Sequence, residues 1–278
     1  MRSLSAALEM VGRTDTGMVR DHNEDSIYFE PDLGLVILAD GMGGYNAGEV
    51  ASGIATQVTA EVMRAQMMAT PPHIKTAGSM WPIAHEMLLL SIDRANAMIY
   101  QTALEHPQCS GMGTTLIAGL FYNNHLAIAH VGDSRAYRLR GDDFEQLSKD
   151  HSFLQEQIDA GLLSEEEARN APYKNLVTRA VGIAGAVQTE LREYQVEPGD
   201  VYLFCSDGLS DMLQDETMSQ LIKLFIDNLP HACDILLEQA NAEGGRDNIS
   251  AILVKVTRDY SVEVGIWNKF TGWFGSSS

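Results

Sequence analysis

The stretch Leu33-Gly34-Leu35-Val36-Ile37-Leu38-Ala39-Asp40-Gly41-Met42-Gly43-Gly44 decides the architecture. From Leu33 to Ala39 it is almost continuously apolar, which suits a short strand buried on both faces. Such a strand needs a packed layer on each side of its sheet. It ends on a carboxylate followed by glycine, so a core strand delivers an acidic group to its sheet's rim.

Working outward, Thr114 to Phe121 and Leu126 to Val131 flank Tyr122-Asn123-Asn124-His125, a hairpin turn in which Asn tolerates positive φ. Ala136 to Leu139 and Phe144 to Leu147 flank Arg140-Gly141-Asp142-Asp143 in the same manner, and Val201 to Cys205 and Ile249 to Val256 add two more strands. Neighbouring hairpins make the sheets largely antiparallel. A helix is expected from Ala47 to about Ala69, capped by Asn46, with Val50, Ile54, Val58 and Val62 on its apolar face. Others are expected from Trp81 or Pro82 to about Leu104, from the capping box Ser164-Glu165-Glu166-Glu167 after Gly161, from about Glu216 to Asn228, and from His231 to Glu243. Pairs of helices between antiparallel strands give an α+β fold: a four-layer α-β-β-α sandwich, two antiparallel sheets flanked by helix pairs. One domain is expected over residues 1–258, followed by an aromatic C-terminal tail, residues 259–278, with Trp267, Phe270, Trp273 and Phe274.

Composition narrows the function. The 278 residues carry a formal net charge of −19 at pH 7, and 45% of them are apolar, enough for a core and unlike a disordered chain. The acidic balance argues against a nucleic-acid partner, whose phosphates call for Lys and Arg. It also disfavours anionic membranes. Cys109, Cys205 and Cys233 do not make a disulfide framework, no run approaches the ~20 apolar residues of a membrane span, and no leader pattern opens the chain. A cytoplasmic monomer is expected. No P-loop is present, and none of the three cysteines is followed by the arginine of a cysteine-phosphatase loop.

The informative pattern is acidic. Asp40, Asp133, Asp207 and Asp247 each stand beside glycine or in a glycine-rich stretch at the end of a core strand, and Glu24-Asp25 forms an acidic pair before another. An Asp next to Gly is ordinarily a turn former. Together, on one rim, these residues repel: two carboxylates ~5 Å apart at an effective dielectric of about 20 oppose each other by about 3 kcal/mol. Hard divalent cations with oxygen ligands offset that. No Cys or His stands at zinc-like spacing, so Mg²⁺ or Mn²⁺ is preferred. Two such ions holding a water and a phosphoryl oxygen are a hydrolytic design.

The motifs carry a resemblance. Thr14-Asp15-x-Gly17-x-Val19-Arg20-x-x-Asn23-Glu24-Asp25, Val36-Ile37-Leu38-Ala39-Asp40-Gly41-Met42-Gly43-Gly44, Gly113-Thr114-Thr115-Leu116, Val131-Gly132-Asp133-Ser134-Arg135, Cys205-Ser206-Asp207-Gly208-Leu209 and Arg246-Asp247-Asn248-Ile249-Ser250 follow one another in order. They resemble the successive motifs of the protein phosphatase 2C family, metal-dependent Ser/Thr protein phosphatases, in its bacterial branch. The resemblance implies that Asp40 bridges two ions, with the Gly41 carbonyl and Glu24 on one and Asp207 and Asp247 on the other. It further implies Asp25 holding water, Arg20 binding the substrate phosphate, and a third, weaker ion on Asp133 and Asp207 with Asp211. Phosphoproteins are the implied substrates and a bacterial Ser/Thr kinase the implied counterpart. Some relatives carry His where this chain has Met42, which cannot donate a proton; His151 is a weak substitute candidate. Residues 152–176 resemble the family's flap. A non-catalytic relative or a phosphatase of small phosphoesters are the competing readings.

Overall fold

The computed structural model describes residues 3–44, 47–164, 167 and 176–262. Its strands are β1 (Leu8–Asp15), β2 (Asp25–Glu30), β3 (Leu35–Met42), β4 (Gly113–Thr114), β5 (Leu116–Tyr122), β6 (His125–Val131), β7 (Arg135–Arg140), β8 (Asp143–Gln146), β9 (Glu190–Gln195), β10 (Val201–Cys205) and β11 (Ile249–Val256). The helices are α1 (Ala47–Ala69), α2 (Ile83–Glu105), α3 (Phe153–Asp159), α4 (Asp207–Ser210), α5 (Asp215–Leu224) and α6 (Leu229–Ala242). One sheet runs β1-β11-β10-β7-β8 and the other β2-β3-β5-β6-β9, with β4 beside β3. The pairings within both are antiparallel.

Side-chain alternation stacks the layers. On β3, Leu35, Ile37 and Ala39 pack with α1 and α2, whereas Val36 and Leu38 face the other sheet. On β10, Val201, Leu203 and Cys205 pack with α5 and α6, whereas Tyr202 and Phe204 face inward. The strand buried on both faces is thus the signature of an inner layer, and the sandwich has the four layers expected.

Both turns form as their residues require. Asn123 and Asn124 sit at φ 46° and 57° between paired Tyr122 and His125, the two left-handed residues of a type I′ hairpin. Gly141, at φ 59°, serves the β7–β8 turn. Elsewhere the fold departs from expectation. The face of α1 that buries is Ala47, Ala51, Ala55, Thr59 and Met63, while Val50 is exposed. Small residues let α1 lie close to β3 and α2, and the valines flank that seam. Met63, Met67 and Met87 fill core, but Met68 is exposed. Helix α5 ends at Leu224, short of Asn228, whose side chain instead caps α6 by accepting from the His231 N–H. Strands β1 and β9 were not anticipated: their mixed Leu8–Asp15 and Glu190–Gln195 runs are edge strands. The Ser164 capping box forms with Glu167; the helix expected beyond it, the Asn46 cap and the aromatic stretch from 263 lie outside the described residues. Tyr260 is buried against the inter-sheet core. No helix among the described residues is long and apolar enough to cross a membrane.

Candidate metal centre

Strand β3 brings Asp40 to the rim, and the Gly113-Thr114-Thr115 stretch grips it there. Thr115 N–H donates to the Asp40 carbonyl (2.8 Å), Asp40 N–H donates to Thr115 Oγ1 (3.0 Å), and Thr114 Oγ1 donates to the same carbonyl (2.8 Å). Strand β2 starts at Asp25, directly opposite Asp40 in register. Glu24 precedes it, its carbonyl accepting from the Gly41 N–H at 3.1 Å. At Gly48, in the first turn of α1, a Cβ would lie 2.7 Å from Glu24 Oε1, so only glycine leaves the carboxyl its place.

The other sheet supplies the opposite wall. Strand β10 ends at Cys205; Ser206 precedes α4, which opens with Asp207, and Asp211 follows it, its N–H donating to the Asp207 carbonyl at 2.7 Å. Asp247 stands just before β11 and fixes one oxygen on the Asn248 N–H (2.9 Å). The other oxygen accepts from Arg20 Nη2 (2.7 Å). Asp133 lies in the turn between β6 and β7, beside Ser134, whose hydroxyl meets that of Thr115 at 2.7 Å.

These carboxylates feel one another. Desolvation first, then the charges of Asp25, Asp207, Asp133 and Asp247, push Asp40 well above the ordinary carboxylate range. Desolvation, then Asp247 and Asp211, raise Asp207 to about 6, with Asp40 and Arg135 opposing the rise. Desolvation, then Asp207, raises Asp133 to about 8. Asp25 reaches about 7 through desolvation, against hydrogen bonds from Ser250 Oγ (2.6 Å) and Ser206 Oγ (2.8 Å) to its Oδ2. Asp25 Oδ1 and Asp207 Oδ1 are buried without a hydrogen-bond partner. Orphaned carboxylate oxygens among repelling neighbours are what a hard divalent cation satisfies. The donor set fits Mn²⁺ or Mg²⁺.

Asp40, Asp25, Asp133, Asp207 and Asp247 are therefore brought together from both sheets. Arg20 joins them, and Asp247, Glu24 and Asp40 hold its guanidinium charged. Asp211 acts on Asp207 electrostatically. Met42, paired with Gly113, leaves no histidine at that point. The His151 ring is spent elsewhere: Nδ1 accepts from the Gly132 N–H (3.1 Å), and Nε2 faces Glu190 (3.5 Å) and Arg179 (3.3 Å). His130, His151 and Glu190 cluster, their candidate ligand atoms within 4.8 Å of one another; the two rings stack at 4.7 Å and 11°, and His130 Nε2 meets the Lys149 carbonyl at 2.8 Å. A cavity of about 460 Å³ opens between α3 and the α4–α5 turn, walled by Arg135, Asp150, Leu154, Asp211, Leu213 and Glu216.

Thr114, Thr115, Ser206, Ser250 and Asn248 had no assigned role in the sequence; Ser206 and Asn248 adjoin Asp207 and Asp247, but nothing local marks what they hold.

A rim of carboxylates from two antiparallel sheets, with Arg20 and Arg135 beside it, suits metal-dependent hydrolysis of a phosphoester. The protein phosphatase 2C family model matches residues 19–253. The serine/threonine phosphatase Stp of Listeria innocua is 36% identical over 247 residues, covering 87% of this chain and 94% of that protein. The serine/threonine protein phosphatase PstP of Mycobacterium tuberculosis is 36% identical over 268 residues, covering 94% of this chain and 47% of that longer protein. A crystal structure of PstP superposes with a TM-score of 0.80 at 35% identity, over 91% of this chain and 100% of that one. Another, of its catalytic domain in complex with two manganese ions, has a TM-score of 0.75 at 35% identity, over 90% of this chain and 99% of that one. The chain belongs to the protein phosphatase 2C family, and is a Ser/Thr protein phosphatase of its bacterial branch.

Proposed function

We propose that Glu24, Asp40, the Gly41 carbonyl, Asp207 and Asp247 hold two Mn²⁺ or Mg²⁺ ions, with Asp40 shared, and that Asp133, Asp207 and Asp211 hold a third, weaker one. The observation that carries this is the pair of buried, unpartnered oxygens, Asp25 Oδ1 and Asp207 Oδ1, inside a group of mutually repelling carboxylates. When bound, the ions supply the charge that makes water a nucleophile at phosphorus. Arg20 offers its planar guanidinium to the phosphate. Asp25, tied through Oδ2 to Ser206 and Ser250, presents Oδ1 to the attacking water and holds its orientation.

The substrates are phosphoserine and phosphothreonine in proteins, and the counterpart is a Ser/Thr kinase in the same cytoplasm, with this protein acting as a monomer. One catalytic unit spans residues 1–258 and the aromatic segment 259–278 follows it. The test is hydrolysis of p-nitrophenyl phosphate, phosphopeptides and small phosphorylated metabolites, with Mn²⁺ and after chelation, by wild type and Asp207→Asn. Loss on chelation, loss in Asp207→Asn and preference for phosphopeptides are expected. Activity undiminished after thorough chelation overturns the metal centre; preference for metabolites overturns the substrate class.

A further inference from the structure

Asn248 is 5% exposed and its amide makes three bonds to backbone groups far away in sequence. Oδ1 accepts from the Glu24 N–H (2.8 Å), while Nδ2 donates to the carbonyls of Thr16 and His22 (2.9 Å each). A backbone N–H can only donate and a carbonyl can only accept, so these partners settle which amide atom is which. Both Nδ2 protons are used. The Asn248 N–H holds Asp247 (2.9 Å), and its carbonyl abuts Gly208, where a Cβ would lie 2.0 Å from it. One residue thus joins the segment bearing Arg20 and Glu24, the Asp247 carboxylate, and the turn after Asp207.

We propose that Asn248 is the positioning residue that sets the arm of residues 16–24, and with it the Arg20 guanidinium, in register with Asp247. The inference rests on the reading of Arg20 as the phosphate-binding group. One acceptor and two donors on a short stem are found in Asn alone; Gln is a methylene longer. Aspartate in this place keeps an acceptor for the Glu24 N–H and loses both donors, setting carboxylate oxygens against the Thr16 and His22 carbonyls. Asn248→Asp therefore releases the Arg20 side of the arm while leaving Glu24 fastened. Alanine releases both.

The experiment uses the full chain with Mn²⁺ and inorganic phosphate as the probe, reading phosphate inhibition, KM for a phosphopeptide and the Mn²⁺ concentration for half-maximal activity. In Asn248→Asp, phosphate inhibition and KM should weaken about 10-fold, the size of a lost hydrogen bond to a positioned group, with half-maximal Mn²⁺ within about 2-fold. Asn248→Ala should shift all three. Adding Asn248→Asp to Arg20→Ala should change phosphate inhibition little further, because the arm acts through Arg20. Unaltered inhibition in Asn248→Asp, beside a weakened Arg20→Ala, overturns the inference and leaves the phosphate reading standing; additive losses overturn it too. Unaltered inhibition in Arg20→Ala overturns the phosphate reading and this inference with it. Should Asn248→Asp fail to fold, Asn248→Gln keeps the chemistry on a longer stem. Inhibition weakened about 3-fold is expected there, and no change overturns the inference.

Discussion

Arg20 reaches Asp247 with one guanidinium nitrogen and is half exposed, so much of its fork remains open to a phosphate. A group that binds the ground state and the transition state alike changes KM more than kcat. Arg20→Ala is expected to raise phosphopeptide KM about 10-fold with a smaller fall in kcat; steady-state kinetics that show the reverse remove it from that role. His130 and His151 illustrate a different residue-level effect. Both are buried and kept neutral, His151 lowered to about 4 chiefly by desolvation, then by His130 and Arg179. Unfolding returns them toward their ordinary value; for His151 the unfolded chain therefore binds more protons between about pH 4 and 6.5. The His151 contribution is present above pH 6.5 and is lost as pH falls toward 4, up to about 3 kcal/mol. Denaturant titrations across that range should show a shallower fall for His151→Gln than for wild type, and equal slopes count against it.

At the scale of elements, the first turn of α1 matters most because it shares space with Glu24. Gly48→Ala sets a methyl group against that carboxyl. The expected result is a folded protein that needs about 10-fold more Mn²⁺ for half-maximal activity, as the displaced ligand loses about 1.4 kcal/mol; an unchanged Mn²⁺ requirement shows that Glu24 holds no ion. Deeper in the helix, Ala55→Leu overfills the seam with β3 and should cost about 1–3 kcal/mol in denaturant unfolding. The same seam shows why the sequence misled at α1. Valine spacing marks a face that prefers apolar company, but close approach of backbones selects alanine, and periodicity alone does not separate them. Interior strands such as β3 and β10 were legible because two covered faces leave a continuous apolar run. The edge strands β1 and β9 were not, because an edge strand of mixed composition borrows its place from its neighbour. The acidic residues were legible by their strand-end position; their keepers Thr115, Ser206 and Asn248 were not, since ordinary polar residues acquire meaning only through partners distant in the chain.

Over the whole molecule, the ions and the fold are thermodynamically linked. A cation at about 100 times its dissociation constant adds about 2.7 kcal/mol to a site present only in the folded state. For a chain of this length that is about 5 °C in Tm. Thermal melts with Mn²⁺ against chelator should differ by at least that amount, and coincident melts would show that no preformed centre exists. The architecture carries one more implication. Asp40 stands near the end of β3 in one sheet, whereas Asp207 follows β10 and Asp247 precedes β11 of the other, so the gap between these carboxylates is gauged by whatever fills the space between the leaves. Phe204 does much of that filling, fitting against Gly119 where a Cβ would lie 2.6 Å from its ring. If those carboxylates hold the ion as proposed, the molecule is a caliper whose jaws would close on the cation and whose spacer is hydrocarbon. Shortening that spacer, an uncharged side chain, should loosen the grip on manganese while sparing the ligands themselves.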